Sequence, residues 1–208
     1  MCRLGLNHLI IWGALRDAHG GPTALRKLVA YGQANGVRVA PGVGINCYGG
    51  VYYEGDHEYS LVKLLSKHPE LAAVDVGGRP RVDEDNPRRS VACPRNEKVV
   101  AWTLESIRWL MEDVCPAAIH SETGDYGVCH CETCQAMGLR GKRVSDEDMA
   151  EVLPPIVAQV RSYGVHWVRR SRTPVCISPK ERRRDLWSAH IRPISPARDR
   201  DLPDQLSL

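Results

Sequence analysis

The sequence lacks the segments that would place a protein in or across a membrane. No apolar run approaches the roughly 18 residues that a membrane-spanning helix needs. The first residues also lack the apolar stretch and the small-residue cleavage site of a secretory signal peptide. These absences predict a chain without a membrane partner, for which the cytoplasm is the default location.

A basic folded body is missing as well, although the formal net charge of the 208 residues is +3. Residues 166–208 hold ten Lys or Arg and five Asp or Glu, which leaves 18 basic and 20 acidic residues in the rest. A nucleic-acid-binding domain concentrates positive charge on its folded surface. The sequence therefore predicts no nucleic-acid partner, and it gives no indication of oligomeric state.

The first 45 residues alternate between strand and helix signals. The apolar, β-branched run at 7–12 predicts a strand, and apolar residues at helical spacing over 24–34 predict a helix. A second strand is predicted over 37–45, leading into a glycine-rich loop. Strand, helix and strand with short connections make a βαβ unit, which implies parallel pairing.

The same alternation continues along the chain. The predicted elements are helices over 57–68 and 96–114, a strand over 117–122, and a helix over 145–162, with another strand as a candidate at 72–76. Pro154-Pro155 should break or kink the last helix. These elements predict an α/β fold, a partial (β/α)8 TIM-type barrel with parallel strands.

The pattern changes after Gly164, where arginine and proline alternate without periodicity. We therefore expect a partial barrel domain over 1–164 and an irregular Arg/Pro-rich tail over 165–208. A poorly ordered tail, an arm for anionic surfaces and an out-of-frame terminus are the alternatives for this stretch.

Two carboxylates mark the end of the third predicted strand. Glu122 closes that strand, and Asp125 follows after two residues. Active sites of parallel barrels form at the carboxyl ends of the strands, and glycoside hydrolysis uses two carboxyl groups around the scissile bond. Glu122 and Asp125 are therefore candidate catalytic residues. Hydrogen-bonded structural carboxylates are the alternative.

Aromatic and amide side chains follow the first three predicted strands. Aromatic rings offer apolar faces to sugar C–H groups, and glycines let the backbone approach a ligand closely. The candidate substrate-binding residues are Trp12, Asn46, Tyr48, Tyr52, Tyr53 and Tyr126. A solvent-facing loop with its tyrosines folded onto the rim is the alternative for residues 46–56, and core packing is the alternative for Trp12.

Three of the eight cysteines are bunched, at Cys129, Cys131 and Cys134. Three thiolates within six residues are able to converge on a tetrahedral Zn²⁺, with a fourth ligand from elsewhere. Cys93 is our candidate for that ligand, while Cys115, His120 and His130 stay open. We expect a structural metal that holds the loop after Glu122. Reduced thiols, or one disulfide with a spare thiol, are the alternative.

Residues 93–100 and 119–134 together resemble uncharacterised bacterial barrel proteins related to glycoside hydrolases, of the hexosaminidase and α-glucuronidase type. In those proteins a Cys-Pro-x-Asn segment opens the helix before a central strand that delivers an acidic residue, and a C-x-C-x2-C loop follows. The resemblance extends over residues 3–163 and is specific only over 122–134. It implies a carbohydrate ligand and O-glycosyl hydrolysis.

Two departures from that family limit what the resemblance implies. Hexosaminidases carry adjacent Asp-Glu catalytic residues, whereas here Glu122 and Asp125 are separated by Thr-Gly. A full barrel also needs about 250 residues and eight strands, so we expect a fragment truncated at both ends with an incomplete catalytic set. The alternatives are a non-catalytic, zinc-stabilised binding module and an inactive hydrolase remnant.

Overall fold

A computed structural model describes residues 5–83, 85–86, 89–122, 128–136, 146–164 and 166–169. Its strands are β1 (His8–Trp12), β2 (Arg38–Gly44), β3 (Ala118–Glu122) and β4 (His166–Arg169). Its helices are α1 (Gly21–Ala34), α2 (Leu61–Lys67), α3 (Glu97–Asp113), α4 (Glu132–Ala136) and α5 (Asp146–Ser162). Short 3-10 turns lie at Asp17–His19 and Pro69–Leu71.

The four strands form one sheet in chain order, and every neighbouring pair is parallel. The predicted α/β class and the parallel pairing are confirmed. A closed barrel is not shown by the described residues, which contain four strands rather than eight.

One face of the sheet, which we call the back face, is covered by helices. Ile119 of β3 and Val39 and Val43 of β2 belong to a single buried cluster with residues of α1, α3 and α5. Side chains alternate between the two faces of a strand, so His120 and Glu122 project from the opposite face, which we call the front face. The helix layer therefore leaves the front face for other contacts.

Helix α1 begins beside a left-handed glycine and a proline, both of which suit a helix start. A Cβ at Gly32 would lie 2.7 Å from Val39 Cγ2 and 2.9 Å from the Val37 carbonyl oxygen. Only glycine allows α1 to approach the start of β2 so closely. The helix then packs its buried residues Leu25 and Val29 on the back face.

Helix α3 matches the sequence prediction within one residue at each end. The side chain of Asn96 accepts a hydrogen bond from the Lys98 backbone amide at 3.0 Å, which caps the helix start. Arg26 of α1 pairs with Asp113 at the other end, at 2.6 Å. These contacts hold α3 beside α1 on the back of the sheet.

Helix α5 continues through Pro154-Pro155, so the expected break is wrong. Its residues Val152, Ile156 and Val160 are buried in the core cluster. Gln159 also donates to the Leu104 carbonyl of α3 at 2.7 Å. Packing of one apolar face therefore sustains a helix in which proline removes backbone hydrogen bonds.

Three other elements differ from the sequence pattern. The candidate strand at 72–76 is instead a pair of isolated antiparallel bridges, Ala72 with Ala92 and Val74 with Pro80. Helix α2 is shorter than the predicted 57–68, because residues 57–60 complete the preceding turn. Strand β4 lies in the stretch assigned to the tail, whose boundary stays a prediction because most of 165–208 lies outside the described residues.

Within the part of the chain that the structure describes, no helix combines the length and apolar character that a membrane crossing needs.

Candidate functional site

The carboxyl ends of β1, β2 and β3 meet at one edge of the sheet. In the parallel register Trp12 lies opposite Gly42, and Gly42 lies opposite His120. Two residues further on, Gly44 lies opposite Glu122. Trp12, His120 and Glu122 therefore share the front face at the edge where parallel barrels carry their active sites.

The Trp12 indole lies over Gly42 of the neighbouring strand β2. A Cβ on Gly42 would lie only 2.5 Å from Trp12 Cδ2, so the indole occupies the space that a side chain would fill. The ring meets His120 edge-on, with centroids 5.3 Å apart and an interplanar angle of 89°. His120 is 5% exposed, whereas Trp12 keeps 38% of its surface accessible. The contacts with Gly42 and His120 therefore fix the orientation of the indole, while part of its surface remains accessible to solvent.

Glu122 is half-buried at the end of β3. Its backbone carbonyl accepts a long contact from the Cys47 thiol, at 3.9 Å. Among the described residues its carboxylate forms no ion pair and no side-chain hydrogen bond. The carboxylate therefore lies at the end of β3, on the front face of the sheet. Asp125 and Tyr126 lie outside the described residues.

The loop after β2 separates the predicted sugar-binding residues into two groups. Tyr48 and Tyr53 are half-buried, and the Arg16 guanidinium lies 5.3 Å from the Tyr53 ring centroid. Asn46 is 1% exposed and donates to the Ala92 carbonyl at 3.4 Å. Tyr52 is 2% exposed and donates its hydroxyl to Asp17. Asn46 and Tyr52 thus support the loop from within.

The Tyr52 hydroxyl lies in an internal network rather than in a ligand site. Its pKa is raised to about 12 by burial and by the Asp17 carboxylate that accepts its hydrogen bond. The other Asp17 oxygen accepts the Asp56 amide at 2.8 Å. On its other side the Tyr52 ring stacks on His57, whose centroid is 4.3 Å away. Asp17 and Tyr52 therefore tie residues 52–56 to the turn after β1.

Four thiols come together beside the front-face edge. The sulfur atoms of Cys93, Cys129, Cys131 and Cys134 all lie within 4.8 Å of one another. The Cys93 sulfur is 3.6 Å from that of Cys134 and 3.8 Å from that of Cys131. Three of the four residues are buried, and apolar neighbours such as Ala73 and Val91 surround them. We call these four residues the cysteine cluster.

The cluster holds one thiol in a state that favours the thiolate. A hydrogen bond from Cys93, with backbone amides of Cys131 and Val74, lowers the pKa of Cys129 to about 5. The Val74 amide lies 3.3 Å from the Cys129 sulfur. Burial raises the pKa of Cys134 to about 12, and the hydrogen bond to Cys129 raises the pKa of Cys93. A cluster of this kind stabilises one thiolate. Several thiolates would repel one another unless a bound cation balanced their charge.

The other candidates for a fourth ligand lie elsewhere. Cys115 is exposed after α3, and its thiol donates to the Glu112 carbonyl at 3.4 Å. His120 contacts Trp12 on the front face, and His130 is not a member of the cluster. The spacing of 129, 131 and 134 is visible in the sequence, whereas Cys93 reaches them only through the fold.

The cysteine cluster also joins separate parts of the chain. Cys93 precedes α3, while the other three thiols follow β3 and lead into α4. The His130 amide donates to the Val74 carbonyl at 2.9 Å, and the Cys93 amide donates to the Leu71 carbonyl at 2.9 Å. Cys47, in the loop after β2, packs in the same buried group. The loops after β2 and β3 therefore share one anchoring point.

Two features of the front face were not predicted from the sequence. The sequence pattern indicates His120 only as a possible metal ligand, although strand alternation places it on the same face as Glu122. Gly42 gave no signal, because its role depends on the register with Trp12. A cleft of about 400 Å³ between residues 54–56 and α2 is a different feature, since its lining includes none of Trp12, His120, Glu122 and the cysteine cluster.

No protein-family model and no curated protein matches this sequence. Solved structures match it in fold. An α-galactosidase from Lactobacillus brevis superposes with a TM-score of 0.54 at 11% identity, covering 81% of this chain and 23% of that one. The GH36 α-galactosidase AgaA from Geobacillus stearothermophilus gives 0.51 at 12% identity, with 80% and 24% covered. A β-N-acetylhexosaminidase gives 0.46 at 16% identity, with 72% and 30% covered.

The two α-galactosidases are glycoside hydrolases, and this chain resembles part of their fold. It spans about a quarter of the length of the two α-galactosidase chains. At identities this low the likeness concerns the fold alone, so neither substrate nor residue roles follow from it.

Proposed function

We propose that this chain is a carbohydrate-binding part of a glycoside-hydrolase-like barrel, with Glu122 as its general acid/base. The position of Glu122 carries the proposal. It is half-buried at the carboxyl end of a parallel strand, on the face that the helices leave open, and beyond the Trp12–His120 pair. Catalytic carboxylates of parallel barrels occupy such strand ends.

The proposed chemistry is proton transfer at a glycosidic oxygen. Glu122 in its protonated form would give a proton to the leaving oxygen as the bond to the anomeric carbon breaks. Asp125, three residues further on, is proposed as its electrostatic partner or as a ligand for a sugar hydroxyl. Trp12, Tyr48, Tyr53 and Tyr126 are the proposed sugar contacts. Asn46 and Tyr52 are not included, because both are buried and donate hydrogen bonds to residues outside the loop, Ala92 and Asp17.

The experiment compares hydrolysis of a panel of aryl α- and β-glycosides by the wild-type protein and by Glu122→Gln. We expect turnover of at least one member, and a decrease of about 10²–10⁴-fold in kcat for the variant. Glu105→Gln is the matched control, because Glu105 is exposed and pairs with Arg108 of the same helix. Turnover that is unchanged in Glu122→Gln would remove this residue from the reaction.

A structural Zn²⁺ in the cysteine cluster is the proposed cofactor. With Zn–S bonds of about 2.3 Å, two sulfurs of a tetrahedral site lie roughly 3.8 Å apart. The distances from the Cys93 sulfur to those of Cys134 and Cys131, 3.6 and 3.8 Å, are close to that separation. Four protein thiolates close the coordination sphere, which is typical of structural rather than catalytic zinc.

The cysteine cluster favours a second candidate function, a zinc-stabilised binding module without catalysis. Metal analysis of protein purified in reducing buffer is expected to give about one zinc per chain under either function. Less than about 0.2 zinc per chain would contradict a site of structural affinity. Full zinc loading together with inertness toward every aryl glycoside would favour the binding module.

A further inference from the structure

The front face carries an exposed aromatic ring that is held in place by two unusual neighbours. Trp12 is 38% exposed at the end of β1, the strand at one edge of the described sheet. Gly42 leaves room for its indole, and His120 meets the ring edge-on at 5.3 Å. An aromatic ring whose orientation is fixed before a ligand arrives loses little conformational entropy when it binds.

The ring also lies close to the candidate acid along the strand direction. His120 and Glu122 project from the same face of β3 and are two residues apart, which is roughly 6–7 Å along a strand. The Trp12 indole extends across β2 to His120 of β3. It therefore lies two residues before the Glu122 carboxylate along the strand direction. A ring-sized ligand on the indole would bring its periphery to that carboxylate.

The surroundings favour a neutral ligand with one apolar face and a polar rim. The Trp12 indole offers an apolar face, while the half-buried Glu122 carboxylate supplies polar atoms on the same face of the sheet. A pyranose ring has this division, with C–H groups on one face and hydroxyls around its edge. Tyr48 flanks the same region, since its Cβ would lie 3.2 Å from a Cβ on Gly44, the register partner of Glu122.

We infer that Trp12 is the stacking platform for a neutral pyranose ring whose glycosidic oxygen lies toward Glu122, and that His120 is the residue that positions this platform. This inference rests on the proposed function and names the subsite in which it occurs. Gly42 is part of the same arrangement, because any side chain there would displace the indole.

The first experiment is a titration of the full-length, ¹⁵N-labelled protein with methyl α- and β-glucopyranosides and galactopyranosides. The indole N–H signal of Trp12 is assigned with Trp12→Phe. We expect a saturable shift of this signal with at least one glycoside, and no comparable shift for Trp102, whose indole donates to the Glu58 carbonyl. Absence of a Trp12 shift with every glycoside, or equal shifts for both tryptophans, would overturn the inference.

The variants separate stacking from folding. Trp12→Ala should weaken binding about tenfold or more, because an aromatic contact is lost, whereas Trp102→Phe should bind like the wild type. Trp12→Phe keeps a smaller ring and should fall between. Unchanged affinity in Trp12→Ala, with the thermal midpoint also unchanged, would contradict a platform at this residue.

The role of His120 needs a readout that packing alone does not change. His120→Ala should weaken glycoside binding several-fold, and His120→Phe should restore it, because phenylalanine again presents an aromatic edge to Trp12. If both variants lower the thermal midpoint and leave the dissociation constant unaltered, His120 has no positioning role.

Failure of this inference is distinguishable from failure of the proposed function. Glycoside binding that depends on Trp12, in a protein that hydrolyses no aryl glycoside, would support the platform and remove the acid/base role of Glu122. Turnover that depends on Glu122 but not on Trp12 would overturn the platform alone.

Discussion

The two faces of the sheet differ in what covers them. On the back face Ile119 is fully buried beneath helices, together with Val39 and Val43. On the front face Ile10 and Trp12 are 39% and 38% exposed, and β2 contributes only small residues beside them, Ala40, Gly42 and Gly44. Burial of apolar surface stabilises the fold mainly through the back face, whereas the front face carries the exposed Trp12 ring and the Glu122 carboxylate of the proposed site.

The cysteine cluster is largely buried, as the back face is, although it lies beside the front-face edge of the sheet. Three of its four cysteines are buried, and the cluster connects the segment before α3 with the loop after β3. Substitutions in these buried regions should therefore change stability, and substitutions on the front face should change ligand binding with little loss of stability. The predictions below test this division, beginning with the largest expected effect.

Removing one cluster thiol should have the largest effect on stability. Cys93→Ser leaves three thiols, so we expect loss of bound zinc and a decrease of several kcal/mol in the free energy of unfolding, since structural zinc contributes about 10–16 kcal/mol in small peptides. Zinc content and denaturant unfolding measure both effects. Cys115→Ser is the control, because Cys115 is exposed and outside the cluster; equal losses in the two variants would contradict the proposed site.

A pair of isoleucines compares the two faces directly. Ile119→Ala creates a cavity on the back face and should lower the free energy of unfolding by about 2–5 kcal/mol. Ile10→Ala removes partly exposed surface and should cost about 1 kcal/mol or less. Urea unfolding of both variants gives the comparison. Similar losses would mean that the front face is covered in solution.

The smallest expected effect is a pH dependence at His57. Burial between Tyr52 and Trp109 lowers the pKa of His57, partly offset by the nearby charges of Glu58, Asp17 and Asp113. The unfolded chain therefore binds a proton more readily than the folded one. The stabilising contribution is complete above the ordinary histidine pKa of about 6.5 and is lost as the pH falls below it.

Thermal unfolding of the wild type and His57→Phe at about pH 7.5 and pH 5.5 isolates this effect. Phenylalanine keeps the ring stacking but does not titrate, so the variant should lose less stability on acidification. An identical loss in both proteins would assign the acid sensitivity to other groups.

Features that depend on neighbouring residues in the sequence were predictable. The orientation of loop side chains, which depends on contacts between distant residues, was not. Helix α3 was predictable because its buried residues recur every three or four positions and Asn96 caps its start. The close spacing of Cys129, Cys131 and Cys134 likewise constrains them locally, whereas Cys93 had several competitors. The inward orientation of Tyr52 depends on distant contacts, among them the hydrogen bond to Asp17, 35 positions away.

Other features could not be predicted because they depend on the assembled sheet. The platform formed by Trp12 and His120 requires the register of three strands, which the sequence does not specify. Strand β4 is short and lies among arginines, so no periodicity marks it. Helix α5 survives two prolines because its apolar face packs on the core, a tertiary effect that outweighs the local preference.

The most direct test of the Glu122 assignment is the dependence of hydrolysis on the leaving group. A general acid matters most when the departing oxygen is strongly basic and least when it leaves readily without a proton. We therefore expect Glu122→Gln to slow methyl and phenyl glycosides far more than dinitrophenyl glycosides of the same sugar, with Glu105→Gln matching the wild type throughout. An equal slowing for all leaving groups, or none, would contradict the account of Glu122 as the acid at this strand end.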